Sequence, residues 1–113
     1  MDDDSELLRR YAKNRDEAAF AELVNRRLAL VYHAALRRVN GDATLAEEIA
    51  QSVFVSLSRN AGTLRHHVLL PGWLYVATRH AAANALRQAR RRQLREQEAH
   101  IMHETISPAT DAA

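Results

Sequence analysis

The chain has 113 residues, of which 47% are hydrophobic and 27% are charged, which predicts one globular domain and excludes a disordered chain. It contains no cysteine, which excludes disulfides and cysteine-ligated metals, and no apolar run approaches the ~18 residues of a membrane span. Its acidic start lacks the pattern of a signal peptide, so we expect a soluble cytoplasmic protein with no membrane role.

Charge is distributed unevenly along the chain. The formal net charge is +2, but residues 1–64 carry a net charge of −1 and residues 96–113 a net charge of −4. Residues 65–95 hold seven arginines and no acidic residue. Such a basic tract predicts contact with a polyanion, and a merely solvated face is the alternative that the charge pattern leaves open.

Helix-breaking residues are scarce, since only three glycines and two prolines interrupt the chain. β-Branched residues are also sparse, so we predict an all-α fold, a compact bundle of three long helices and a short N-terminal helix. The apolar spacing places these helices at residues 6–13, 16–39, 44–59 and 71–99.

Local signals predict where the first three helices begin and end. Asn14 and Thr44 have the spacing of capping-box residues, and Gly41 is predicted in the left-handed position after the second helix. The apolar repeat of the second helix includes Leu28. The residues predicted to be buried are Leu23, Val31, Ile49, Val53, Leu57 and Leu74.

The segment 60–70 is predicted to be a loop, with Gly62 ending the third helix. It is longer than most helix–helix connections, and long loops often carry function. The basic helix that follows has two faces. Its narrow, mostly small face is formed by Leu74, Ala77, Ala81 and Ala85, and its mostly polar stripe by Trp73, Val76, His80, Asn84, Arg87 and Arg91.

Several motifs in order resemble a known family. They are Phe20-Ala21-Glu22-Leu23, Val31-Tyr32, Gly41-Asp42, the run AEEIAQSVF from Ala46 to Phe54, Trp73-Leu74, Asn84, and Arg87 with the arginines after it. This set resembles the second conserved region of bacterial sigma factors, most closely the extracytoplasmic-function group. The resemblance covers about residues 5–98, so we predict a region-two domain over 5–99 and a tail or the start of a linker over 100–113.

The resemblance implies a transcription initiation module with two partners. One is RNA polymerase core, where the third helix would dock on the coiled coil of the β′ clamp. The implied contact residues are Glu47, Glu48, Gln51, Ser52 and Val55. An anti-sigma factor is a further expected partner, because such regulators are common in the group.

The second implied partner is promoter DNA, whose minus-ten element this region recognises and melts by holding the non-template strand. The implied DNA-binding residues are Arg65, His66, His67, Trp73, Arg79, His80, Asn84, Arg87 and Arg91. A basic track with an aromatic platform suits single-stranded DNA. Complete sigma factors of this group add a helix-turn-helix domain, so we expect this chain to be a domain of a longer protein or a truncated one.

Other chemistry has weak support in the sequence. His100, His103 and Glu104 share one helical turn, but their order matches no zinc signature, so we expect no metal and no cofactor. No glycine-rich phosphate loop is present, and nothing assembles a catalytic set, so we do not expect an enzyme. The alternative function is a protein-interaction bundle whose basic helix binds an acidic partner and has no DNA role.

Overall fold

A computed structural model describes residues 3–64 and 69–111, with side chains as far as residue 105. Four helices occupy this part of the chain: α1 (Asp4–Asn14), α2 (Glu17–Arg38), α3 (Ala43–Leu64) and α4 (Leu70–Asp111). No residue in the described ranges lies in a β-strand, which confirms the predicted all-α fold. None of the helices described has the length and the hydropathy that crossing a bilayer requires.

An aspartate precedes each of the first three helices and accepts a hydrogen bond from a backbone N–H in the first turn. The donors are Glu6, Ala19 and Leu45, whose nitrogens lie 2.8, 3.1 and 3.1 Å from Oδ1 of Asp3, Asp16 and Asp42 respectively. Each carboxylate satisfies an otherwise unpaired N–H and lies at the positive end of the helix dipole.

The caps predicted at Asn14 and Thr44 are therefore wrong. Asn14 is the last residue of α1, and Arg15 follows it in the left-handed conformation with φ of 53°. Thr44 lies inside the first turn of α3, because Asp42 already supplies the capping oxygen. The left-handed conformation predicted for Gly41 is confirmed, with φ of 82°.

α3 is longer than the sequence predicted. It continues through Gly62 to Leu64 instead of ending at residue 59, so the predicted loop over 60–70 is wrong in its first part. Ala61 is only 2% exposed, so this added turn of helix is packed into the core. A single glycine costs a helix only about 1 kcal/mol, which such packing offsets.

The core lies among α1, α2, α3 and the first part of α4. α2 packs along α3, and α1 packs against both. The predicted core is confirmed, since its members are each at most 2% exposed: Leu23, Val31, Ile49, Val53, Leu57 and Leu74. α1 adds Leu7 and Leu8, and its Asp4 carboxylate accepts a 2.7 Å hydrogen bond from Nε of Arg27 on α2.

The buried side of α4 differs from the predicted small-residue face. Its buried positions are Leu70, Leu74, Thr78 and Ala82, spaced four residues apart, whereas Ala77, Ala81 and Ala85 are only half-buried. Thr78 is fully buried, and its hydroxyl donates to the carbonyl of Leu74 at 2.7 Å, which satisfies the polar group within the helix. A pattern of apolar residues alone does not predict that such a threonine is buried.

The chain forms two compact units, Met1–Ala83 and Asn84–Ala113. The first holds α1, α2, α3 and the beginning of α4, and we call it the bundle. The second holds the rest of α4, which continues to Asp111, beyond the end predicted at residue 99. The acidic side chains after Arg95 do not end the helix, because glutamate and glutamine favour a helix as arginine does.

Candidate functional site

One side of α3 is free of core contacts and carries polar side chains. Ile49, Val53 and Leu57 occupy the opposite, buried side, and their four-residue spacing fixes the orientation of the helix. The five residues expected from the resemblance to bind polymerase are all exposed on this free side: Glu47, Glu48, Gln51, Ser52 and Val55. Helical spacing brings these residues together as one surface, and most of them line one shallow depression.

A groove of about 900 Å³ runs between α2 and α3 beside this surface. It is lined by Phe20, Val24, Asn25, Leu28, Ala29 and Tyr32 of α2, and by Glu47, Ala50, Gln51, Phe54, Val55 and Ser58 of α3. Leu28 and Val55 are 45% and 48% exposed, so each leaves an apolar side chain open to solvent. The groove thus combines an apolar lining with acidic and amide groups.

Leu28 is a site residue that the sequence did not reveal. It belongs to the apolar repeat of α2, yet it is 45% exposed and lies outside the core. Nothing in the apolar repeat distinguishes Leu28 from Leu23, because both residues fit helical spacing. Only the packing of α3 against α2 shows which leucine is covered and which lines the groove.

A second cluster joins the end of α2 to the beginning of α4 within the bundle. Nη2 of Arg38 donates a 3.2 Å hydrogen bond to the phenol oxygen of Tyr75, and Cζ of Arg38 lies 5.6 Å from the centroid of the Tyr75 ring. The guanidinium therefore makes a cation–π contact as well as a hydrogen bond. Tyr75 is 46% exposed, so the cluster lies at the surface.

The electrostatics around Tyr75 are strongly positive. The hydrogen bond from Arg38 lowers the pKa of the Tyr75 phenol below its ordinary value, and the charge of Arg38 acts in the same direction. The charges of Arg79 and Arg37 add to this lowering, while burial opposes it. Three arginines thus act on one exposed phenol, an arrangement that sequence reasoning missed for Arg37, Arg38 and Tyr75.

The DNA-binding residues expected within the bundle divide into two groups. Trp73 is half-buried, whereas Arg79 and His80 are exposed on α4. The basic loop residues Arg65, His66 and His67 lie outside the described residues.

The remaining expected DNA-binding residues belong to the second unit. Asn84, Arg87 and Arg91 are all exposed. Nη2 of Arg87 donates to Oδ1 of Asn84 at 3.0 Å, so the amide orients this guanidinium. Farther along, Nε2 of His100 lies 3.0 Å from a carboxylate oxygen of Glu104. In the part of the chain that the structure describes, no three histidine or acidic side chains are grouped closely enough to hold a metal.

A helical scaffold with an acidic and apolar face on α3 and a cluster of arginines where the end of α2 meets α4 defines a binding module for macromolecular partners. The chain belongs to the sigma-70 region 2 family, whose model matches residues 23–92. This family comprises non-enzymatic domains of transcription initiation factors that bind RNA polymerase and recognise the promoter minus-ten element. A comparison with curated proteins gave no significant match, and a comparison with solved structures gave none either.

Proposed function

We propose that the domain docks on the coiled coil of the polymerase β′ clamp through the exposed side of α3 and the adjoining α2–α3 groove. The observation that carries this proposal is the groove itself, where Leu28 and Val55 are each nearly half exposed beside the carboxylate of Glu47 and the amide of Gln51. Apolar side chains of a partner helix would fill the groove, and this burial would supply most of the binding free energy.

The acidic residues at the groove would select the partner more than strengthen its binding. Glu47 and Glu48 are exposed, and carboxylates in such positions favour basic residues on the coiled coil while disfavouring acidic partners. Exposed charges contribute little to stability, so they can be changed without unfolding the domain. This property makes Glu48 a suitable position for a test.

The test is a pull-down of core polymerase with the charge reversal Glu48→Lys and with Leu28→Asp. Both variants should bind polymerase more weakly while circular dichroism and the melting temperature stay near those of the wild type. Glu96→Lys is the matched control, because it makes the same charge change at an exposed position on α4. Unchanged binding by both folded variants would refute this docking surface.

We further propose that the domain holds the non-template strand of the melted minus-ten element. Within the bundle, the supporting observation is the group of Arg37, Arg38 and Arg79 around the exposed Tyr75 phenol. Guanidinium groups bind phosphates through paired N–H donors, and an aromatic ring beside them offers a face for a base. Arg87 and Arg91 of the second unit are proposed to contact phosphates separately.

The test for DNA is fluorescence anisotropy with a non-template oligonucleotide across a salt series, in the presence of core polymerase. Arg79→Gln and Arg91→Gln should each weaken binding to all sequences and reduce the slope of log affinity against log salt by about one or less. Lys13→Gln, on the exposed surface of α1, is the control for loss of one positive charge.

The loop histidines provide a separate readout. Substituting His66 or His67 should change which base is preferred, since pockets that take flipped bases read their edges. If affinity responds neither to salt nor to the arginine substitutions, the protein-interaction bundle without a DNA role replaces this proposal.

The proposed partners are thus the β′ subunit, promoter DNA and an anti-sigma factor of the kind found in the extracytoplasmic-function group, all in the cytoplasm with RNA polymerase.

A further inference from the structure

We propose that residues 84–105 of α4, here called the distal segment, pair with the same segment of a second copy of this chain in antiparallel orientation. Every residue from 90 to 105 is exposed, including the large apolar side chains of Leu94, Ile101 and Met102 at 51%, 60% and 63%. Helices in proteins gain most of their stability from packing of an apolar face, so burial of these side chains would stabilise the segment.

Charge complementarity identifies a second copy as the partner. The first half of the distal segment is basic, with Arg87, Arg90, Arg91, Arg92 and Arg95. The second half contains no lysine or arginine and carries Glu96, Glu98 and Glu104. A parallel pair would place five arginines opposite five arginines, whereas an antiparallel pair places each basic half opposite an acidic half. A polyanion complements only the basic half, whereas a second copy complements both halves.

The apolar residues select one register for this pair. Leu94 and Ile101 are seven residues apart and therefore lie on the same side of the helix. An antiparallel pair that packs Leu94 against Ile101 of the second copy also places Arg91 level with Glu104 of that copy. The apolar contact and the ion pair thus agree on one alignment. Because the pair has two-fold symmetry, each contact occurs twice.

The acidic partner remains accessible in this alignment. Glu104 contacts Nε2 of His100 in its own helix, yet its side chain is 64% exposed. A carboxylate accepts several hydrogen bonds, so Glu104 can receive Arg91 of the second copy while it keeps the contact with His100. Gln97 and Glu98 flank the two-fold axis of such a pair.

The alignment is tested by cysteine cross-linking of the full chain, which has no native cysteine. Gln97→Cys lies next to the two-fold axis and should form a dimer under mild oxidation. In Thr105→Cys, the two cysteines of an antiparallel pair would be 15 residues of helix apart, or ~22 Å, and should not cross-link. A parallel pair would cross-link both variants and overturn the proposal, as would a failure of Gln97→Cys to cross-link.

A charge-swap experiment tests the ion pair by sedimentation at low salt. Glu104→Arg and Arg91→Glu should each decrease the dimer fraction, because each places like charges opposite one another. The double variant Arg91→Glu with Glu104→Arg should recover it. A wild-type chain that stays monomeric at all concentrations, or a double variant no better than the single ones, would overturn the proposal. This test involves neither polymerase nor DNA and is independent of the proposed function.

Discussion

Leu57 and Val55 differ in position by two residues on α3 and have opposite environments. Leu57 is fully buried, whereas Val55 is 48% exposed at the α2–α3 groove. The 3.6-residue repeat of the helix explains the difference, since two residues span more than half a turn. Neighbouring apolar side chains on α3 thus differ in burial, one lying in the core and the other at the groove proposed for docking.

Leu57→Ala should lower the free energy of unfolding by about 2–5 kcal/mol, because it removes a buried side chain and leaves a cavity in the core. Urea denaturation followed by circular dichroism measures this loss. Val55→Ala serves as the control and should change stability by less than about 0.5 kcal/mol, since the side chain is half in solvent. A loss below about 1 kcal/mol for Leu57→Ala would contradict the packing described for this residue.

The contact between Arg38 and Tyr75 predicts that changing Arg38 will change the pKa of the Tyr75 phenol. The hydrogen bond from Arg38 lowers the pKa of the Tyr75 phenol below its ordinary value of 10.0, so Arg38→Met should raise that pKa again. The tyrosinate absorbance reports the titration, and Tyr75→Phe identifies which part of the signal belongs to this residue. An unchanged midpoint in Arg38→Met would show that Arg38 does not contact the phenol in solution.

The sign of the linked stability follows from the direction of this shift. Because the pKa of Tyr75 is lower in the folded state, the stability linked to it is present above the unfolded-state pKa and is lost as pH falls through the folded-state value. Any pH dependence of unfolding caused by Tyr75 therefore begins near its folded-state pKa and is complete above its unfolded-state pKa.

At the scale of the elements, each of the first three helices begins with one capping aspartate. Asp42→Ala should lower the free energy of unfolding by about 0.5–2 kcal/mol, because it leaves the Leu45 N–H without its side-chain acceptor. Thermal or urea unfolding measures the loss.

Thr44→Ala is the informative comparison, because the sequence pattern alone assigned the cap to Thr44. Thr44 is exposed inside the first turn of α3, so its replacement should leave stability nearly unchanged or raise it slightly, since alanine favours a helix more than threonine does. A larger loss in Thr44→Ala than in Asp42→Ala would show that the cap is at Thr44.

At the scale of the whole molecule, the separation of charge along the chain governs long-range attraction to nucleic acid. The basic residues 65–95 are followed directly by Glu96 and Glu98, which reduce the positive potential nearby. The double variant Glu96→Gln, Glu98→Gln should therefore bind single-stranded DNA more tightly at low salt. Anisotropy should show the gain shrinking as salt is added, and a gain independent of salt would contradict an electrostatic origin.

The family and its surfaces could be predicted from the sequence because short-range patterns determine them. The six buried residues from Leu23 to Leu74 follow helical spacing, and the ordered motifs from Phe20 to Arg87 identify the sigma-70 region 2 family. The exposure of Glu48 and Gln51 also follows from the repeat, since Ile49 and Val53 fix the opposite side. The roles of these exposed residues in binding remain predictions.

Tertiary packing distinguishes residues that the sequence patterns treat as equivalent. Leu28 and Leu23 fit the same repeat, and only the neighbouring helix determines that one lines a groove while the other is buried. Arg38 and Tyr75 are 37 residues apart, so their contact exists only because α2 and α4 meet. Burial of Thr78 and the continuation of α3 past Gly62 likewise depend on packing that sequence spacing does not encode. The Asp42 cap is instead a local contact, three residues along the chain, and the sequence pattern misassigned it to Thr44.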